Sequence, residues 1–237
     1  CARTGNDGGS PGCGVASNLA KQEAFAPLGA HVLDFLPSTF RGAPSHPDGL
    51  LPCIKVLGAY LGDPASCAAK LTARVRQHLE KLKNVPRLRD TARCSVSMQI
   101  QLEITRFCAN STLVYFLRTM SMECTGEAAR MHDELVAAAF AAVVGMRDAT
   151  PAERSRALAQ ARLPVRFGGM GITSQAAIQR AAKVGSWALV WRPMQQLCPW
   201  LFRDVDIATS TLPSLVELQA AHQQLLEGHR RVEGIYA

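Results

Sequence analysis

The chain has 237 residues, of which 48% are hydrophobic and 19% are charged, and its formal net charge is +7. This length and composition are those of a globular protein with one large or two small domains, and they exclude a low-complexity chain. The sequence contains no signal peptide and no apolar run of about eighteen residues, so we predict no membrane span.

The eight cysteines predict buried, reduced thiols. No two of them form a Cys-x-x-Cys pair, which structural zinc sites usually contain. We therefore expect an intracellular protein, nuclear or cytoplasmic and not secreted, with no metal ligands of its own. Because the chain begins at Cys1 and not at Met, we also expect a piece of a longer protein.

Residues 1–52 are rich in glycine and proline, which predicts long loops with short strands or turns. Residues 53–62, CIKVLGAYLG, follow as an apolar run with β-branched residues and a closing glycine. This pattern predicts one short buried strand.

A basic amphipathic helix is predicted directly after this strand. Asp63 is suited to the N-cap and Pro64 to the first helical position. An apolar stripe follows at spacings of four, four, four and three residues: Cys67, Leu71, Val75, Leu79 and Leu82. The other faces of the helix are basic.

The positive charge is concentrated in this part of the chain. Between residues 70 and 106, nine Lys or Arg residues oppose three acids, a net charge of +6. A polyanion is the natural partner of such a patch. The alternative is a solvated helix face with no ligand.

Five further helices and a final one are predicted in chain order. The second covers residues 88–107, with an apolar stripe spaced four residues apart at Ala92, Val96, Ile100 and Ile104, and the third covers residues 113–120. The fourth opens at Cys124 or Thr125 and has an apolar stripe of Ala128, Met131, Leu135, Ala138 and Ala142. A short fifth helix follows a capping box at Thr150. The sixth covers residues 175–191 and is followed by a segment between Pro193 and Pro199, and the last helix is capped at Ser214.

No complete active site is visible in these helices. The glycines of residues 168–171, GGMG, precede a capped helix but lack the spacing of phosphate-binding loops, so we interpret them as a packing turn. His132 and Asp133 are sequence neighbours, and we expect them to point to different faces of their helix and not to form a catalytic dyad.

Three segments together resemble the C-terminal part of reverse transcriptases of non-LTR (LINE-like) retroelements. Residues 14–23, GVASNLAKQE, are similar to the palm segment that follows the catalytic aspartates, and Gln22 stands where the family has Thr or Cys. Residues 55–62, KVLGAYLG, resemble the hairpin that grips the primer. Leu163-Pro164 with residues 168–174, GGMGITS, resembles a run found beyond the thumb.

The resemblance implies a mainly α fold in which a helical, thumb-like bundle follows a small, loop-rich α+β palm remnant. The palm remnant would be residues 1–62, the basic thumb-like region 63–147, and a helical C-terminal extension 148–237. Lys21 would be the palm lysine that protonates the leaving pyrophosphate. Leu57 and Gly58 would lie at the primer-gripping turn.

The same resemblance implies that the basic helix lies along a primer–template duplex. Its cations would contact the phosphates of an RNA–DNA or DNA duplex: Lys70, Arg74, Arg76, Lys81, Lys83 and Arg87. Polymerase chemistry in this family needs carboxylates that hold two Mg²⁺ ions. The Tyr-x-Asp-Asp motif that supplies them is expected in a missing N-terminal part of the polymerase, before Cys1, so we expect this chain alone to be inactive.

Two alternatives remain open at the level of the sequence. One is a helical protein-interaction domain whose basic patch meets an acidic protein. The other is a remnant of a retroelement with no selected function.

Overall fold

The computed structural model describes residues 23, 41, 51–85, 96–146, 148–202 and 204–236, with side chains as far as His229. Predictions that concern Lys21, Arg87 and residues 88–95 of the second predicted helix lie outside the described residues. The contacts divide the chain into two units, residues 1–66 and 67–237. The division into residues 1–62, 63–147 and 148–237 stays a prediction.

Residues 53–62 form a hairpin, so the prediction of one buried strand is wrong. Strand β1 (Cys53–Val56) pairs with β2 (Ala59–Gly62) in antiparallel register, with Cys53 opposite Gly62. The run reverses at residues 57 and 58, because glycine at the second turn position tolerates the positive φ that a two-residue turn requires. Cys53 is buried and most of the other strand residues are partly or fully exposed.

The rest of the described chain is largely helical, which confirms the mainly α fold class. The helices are α1 (Pro64–Leu79), α2 (Met98–Ile104), α3 (Val114–Thr119), α4 (Met122–Val143), α5 (Pro151–Arg162), α6 (Gln175–Leu197), α7 (Pro199–Phe202) and α8 (Pro213–Tyr236). Three tighter or wider turns accompany them: the 3₁₀ segments Glu80–Asn84 and Val165–Phe167 and the π-helical turn Thr105–Ala109.

Helix α1 begins as the sequence predicts. The Asp63 carboxylate accepts a hydrogen bond from the Ser66 backbone N–H at 2.8 Å, and this bond, together with one from the Ser66 hydroxyl, lowers the pKa of Asp63. The predicted apolar stripe is buried along its whole length: Cys67, Leu71, Val75, Leu79 and Leu82. The spacing of apolar residues therefore identified the buried face of this helix correctly.

The core of the second unit lies around α6, which packs against α3, α4 and α8. Its fully buried aliphatic side chains come from several helices and one turn: Leu71, Leu79, Leu113, Leu117, Val143 and Leu215. No helix in the described part of the chain is long and apolar enough to cross a membrane.

Several predicted helix ends are wrong. Helix α2 begins at Met98, because the Ser97 hydroxyl accepts the Ile100 N–H and caps it, so residues 96 and 97 are not helical. Helix α6 continues through Pro193 to Leu197, beyond the predicted end at Trp191. Helix α8 already begins at Pro213, so Ser214 lies within it.

Two predicted apolar stripes are also wrong. In α4 the buried face runs through His132, Val136 and Val143, whereas Ala138 of the predicted stripe is exposed. In α2 the buried side chain is that of Gln101, and Ile100 is 48% exposed. Both helices are rotated relative to the prediction because polar side chains fill core positions.

Candidate nucleic-acid interface

The described basic residues of α1 and of the 3₁₀ segment after it are all exposed, and helical spacing divides them into two rows. Lys70, Arg74 and Lys81, separated by four and seven residues, lie along one edge of the buried stripe. We call them the acid-free row, because no acid of α1 or of the 3₁₀ segment lies along this edge of the helix. Arg76 and Lys83 lie along the opposite edge.

Arg74 of the acid-free row is held in place by an aromatic ring. Its guanidinium carbon lies 5.3 Å from the centre of the Phe116 ring in α3. Phe116 is only 6% exposed, so the ring is a fixed part of the core. A cation stacked on an aromatic face keeps its N–H edges available for an anion.

The opposite edge, which we call the mixed row, contains Arg76, Glu80 and Lys83. Lys83 Nζ donates to Glu80 Oε1 at 2.8 Å. This hydrogen bond and the charge of Lys83, with a contribution from Arg76, lower the pKa of Glu80. The acid offsets part of the positive charge of the mixed row.

The hairpin turn presents a second unusual feature at the predicted primer-grip residues. Leu57 has a φ of 48° and Gly58 a φ of 95°. Leu57 is also 92% exposed. A leucine in the left-handed region costs about 1–2 kcal/mol, and its exposed side chain gains no burial in return. A strained apolar residue at a surface tip is the kind of outlier that marks functional positions.

His132 and Asp133 approach each other, contrary to the expectation that they point apart. His132 Nδ1 lies 3.6 Å from Asp133 Oδ1, a distance too long for a hydrogen bond. The buried His132 ring donates from Nε2 to the Ala109 carbonyl at 3.0 Å, which links α4 to the end of the π-helical turn. The His132 side chain therefore makes a structural contact between α4 and the π-helical turn.

Asp133 caps the N-terminus of α6. Its carboxylate accepts the backbone N–H groups of Gln175 at 2.7 Å and Ala176 at 3.2 Å, together with the Ser174 hydroxyl. Burial acts to raise the pKa of Asp133, but the neighbouring His132 side chain and the hydrogen bonds from Ser174 and the two backbone groups outweigh it, and the pKa is lowered. This carboxylate is fully engaged in structure.

Among the described residues, no three His, Cys, Asp or Glu side chains lie close enough together to hold a metal ion. Nothing in the described part of the chain therefore fits the two Mg²⁺ ions that the resemblance implies for the complete enzyme, and we assign no chemical step to these residues. Lys21 lies outside the described residues, so its role as a proton donor stays a prediction.

A second basic region emerges beyond the predicted site. Residues 154–203 contain no acid and eight basic residues: Arg154, Arg156, Arg162, Arg166, Arg180, Lys183, Arg192 and Arg203. A count of acids along the chain would have found this stretch. Lys183 is buried, where its Nζ donates to the Met120 carbonyl at 2.9 Å, but Arg156, Arg162 and Arg166 are exposed.

No protein-family model, curated protein or solved structure matches this chain. The functional proposals therefore depend on the residues, their geometry and the resemblance of the three segments.

Proposed function

We propose that this chain is part of a reverse-transcriptase-like protein and contributes the binding of an RNA–DNA or DNA duplex. The acid-free row of Lys70, Arg74 and Lys81 carries the proposal. These three exposed cations lie along one edge of the buried stripe of α1 and the 3₁₀ segment after it. Such a row neutralises phosphates without reading the base sequence.

The dimensions of the row suit a sugar–phosphate strand. Lys70 and Lys81 are eleven residues apart, which corresponds to roughly 16 Å along a helix axis. Each nucleotide of a duplex strand advances about 3.4 Å, so the row spans about five nucleotides. Arg74, positioned by Phe116, offers two N–H groups to one phosphate, whereas the two lysines act as point charges.

The hairpin gives independent support to the proposal. Its turn falls at Leu57 and Gly58, where the resemblance implies the primer-gripping turn, and Leu57 is both strained and exposed. In this proposal the apolar tip contacts the sugar face of the primer strand. Lys21, the two Mg²⁺ ions and a nuclear or cytoplasmic location belong to the complete polymerase under the same proposal.

One observation favours the alternative of a protein-interaction domain. Several large apolar side chains are exposed near the α6–α7 junction: Leu189, Leu197, Trp200 and Leu201. Apolar side chains exposed together are typical of protein contact sites. In that alternative the cations of α1 would meet acidic side chains of a protein partner.

A charge-matched pair of variants tests the duplex proposal. Lys70→Ala/Lys81→Ala and Arg76→Ala/Lys83→Ala each remove two positive charges and leave the buried stripe intact. Binding of a labelled RNA–DNA hybrid is measured at one fixed salt concentration. We expect the first variant to bind about tenfold more weakly than the second, because the mixed row is partly neutralised by Glu80. Equal losses in both variants would contradict the assignment of the acid-free row.

A further inference from the structure

We propose that a second surface of this chain binds unpaired nucleotides of a single strand. We call it the arginine–phenylalanine platform, and it consists of Arg106, Phe107, Arg166 and Phe167. These residues are distinct from the acid-free row, so the inference does not depend on the duplex proposal.

Each half of the platform is a stacked pair of neighbouring residues. The Arg106 guanidinium lies 4.8 Å from the centre of the Phe107 ring, and the Arg166 guanidinium lies 4.8 Å from the centre of the Phe167 ring. Phe107 is 62% exposed and Phe167 is 64% exposed. Two rings that could have been buried are therefore presented to solvent, each with a cation over one face.

The π-helical turn explains why Phe107 faces outward while the half-buried Arg106 lies beside it. The wider turn places Thr105 and Ala109 in the core, and the Asn110 N–H bonds to the Thr105 carbonyl in the i to i+5 pattern. The carbonyl groups at its end are satisfied from other helices: His132 donates to Ala109, and the Gln175 side chain donates to Asn110 at 2.8 Å. Single π-turns of this kind are common at functional positions.

The loop that carries Arg166 and Phe167 is tied to the same turn. The Asn110 side-chain oxygen accepts the Thr173 N–H at 3.2 Å. The Arg106 guanidinium lies so close to Gly171 that a Cβ there would come within 3.2 Å of its Nε. The π-turn and the glycine loop, which are distant in sequence, are therefore in contact through Arg106 and Gly171 and through Asn110 and Thr173.

The chemistry of this surface fits exposed bases. A base stacks on an aromatic ring or on a guanidinium plane, and the N–H edges of the guanidinium remain available for the adjoining phosphate. The bases of a duplex are already stacked on each other and do not offer their faces. Unpaired nucleotides of RNA or DNA are therefore the ligand that could contact both the phenylalanine ring, through the base, and the arginine guanidinium, through the phosphate.

The charge around the platform agrees with this ligand. Arg162, at the end of α5, is exposed close in sequence to Arg166, within the acid-free stretch of residues 154–203. The acid of α2 is Glu103, and among the described residues no ion pair joins it to Arg106. A polyanion meets no local repulsion from the loop side of the platform.

The test uses the whole chain and a labelled oligothymidylate, which has no secondary structure of its own. We expect Phe107→Ala/Phe167→Ala to weaken its binding about tenfold or more, since each stacked base is lost with its ring. The aromatic control Phe107→Tyr/Phe167→Tyr is expected to bind within about twofold of the unsubstituted chain, because it keeps both aromatic rings on which a base can stack. Both rings are exposed, and circular dichroism checks that each variant is folded.

Duplex binding separates this inference from the proposed function. The Phe107→Ala/Phe167→Ala variant is expected to bind a blunt RNA–DNA hybrid unchanged, whereas Lys70→Ala/Lys81→Ala weakens that hybrid. Oligothymidylate binding that is the same in the alanine and tyrosine variants would overturn the platform. Self-association of the chain that disappears in the alanine variant, with no oligothymidylate binding at all, would assign the rings to a protein contact and would also overturn it.

Discussion

Leu57 has a backbone conformation that the side chain of leucine does not favour. A φ of 48° brings its Cβ close to the following carbonyl, and glycine, asparagine or aspartate is the usual choice at that place in a two-residue turn. The sequence pattern of the hairpin would predict Asn-Gly there, whereas the chain has Leu-Gly. An unfavourable residue at an exposed tip is what the proposed contact of this turn with a primer strand would explain.

Replacing Leu57 tests whether its conformation is strained. We expect Leu57→Asn to raise the free energy of unfolding by about 1 kcal/mol, because asparagine adopts positive φ more readily. Leu57→Ala keeps the strain and removes only exposed apolar surface, so its stability should stay within about 0.5 kcal/mol of the original chain. Urea unfolding measures both. An asparagine variant no more stable than the alanine variant would show that the turn is unstrained.

Asp133 links pH to the stability of the helical unit. Its pKa is lower in the folded chain than the ordinary value of 3.8, so its contribution to stability is complete above that value and is lost as the pH falls through the folded pKa. We expect Asp133→Asn to lower the free energy of unfolding at neutral pH by about 1–3 kcal/mol. The difference from the original chain should shrink as the pH falls below about 4.

Glu134 supplies the control for this prediction, because it is an exposed acid next to Asp133 in the same helix. Urea unfolding of Glu134→Gln should give nearly the same stability as the original chain at each pH. A difference between Asp133→Asn and the original chain that persists unchanged into acid would mean that the carboxylate charge is not the stabilising feature.

For single helices, the sequence predicted correctly those features that depend on residues close together in the chain. The stripe of α1 and the capping box of α5 are both present as predicted: the Thr150 hydroxyl accepts the Glu153 N–H, and the Glu153 carboxylate accepts the Thr150 N–H. Each involves residues within a few positions of one another. Such signals do not depend on the rest of the fold.

The buried faces of α2 and α4 were predicted wrongly because polar side chains occupy core positions in both helices. Three buried polar side chains each donate a hydrogen bond to a backbone carbonyl. His132 donates to Ala109, Gln101 donates to Val96, and Thr105 donates to Gln101. A pattern search that assigns apolar residues to the core therefore rotates α2 and α4 away from their true orientation. No feature of the sequence alone identifies these partners.

The glycine loop after α5 gives a test at the same scale. The sequence predicts a packing turn, and Gly169 packs so tightly that a Cβ there would come within 2.0 Å of the Leu163 carbonyl oxygen. We expect Gly169→Ala to cost about 2 kcal/mol or more, because backbone must move. Gly185→Ala should instead stabilise by about 1 kcal/mol, since Gly185 lies in an exposed part of α6 with open space around it.

Thermal unfolding of the two glycine variants makes the comparison directly. The same change, from hydrogen to methyl, is expected to lower the melting temperature at Gly169 and to raise it at Gly185. If both variants melted at the same temperature, the close approach of the loop to Leu163 would be absent in solution.

For the molecule as a whole, the charge of the sequence predicts a polyanion as the partner, and the structure shows how the described cations are arranged. The net charge of +6 between residues 70 and 106 counts every cation equally, wherever its side chain lies. The described part of that window separates an acid-free row from a mixed row, and it shows Arg106 in a different surface. Sequence spacing alone could not suggest the platform that we propose, because its two Arg–Phe pairs lie about sixty residues apart in the chain.

The salt dependence of duplex binding tests the central proposal most directly. The logarithm of the affinity for an RNA–DNA hybrid is measured against the logarithm of salt concentration, for the original chain and for Lys70→Ala/Arg74→Ala/Lys81→Ala. Each lost phosphate contact should flatten the slope by about one unit, so we predict a change of about three. A triple variant that binds the hybrid with an unchanged slope would contradict the proposal that this row contacts phosphates.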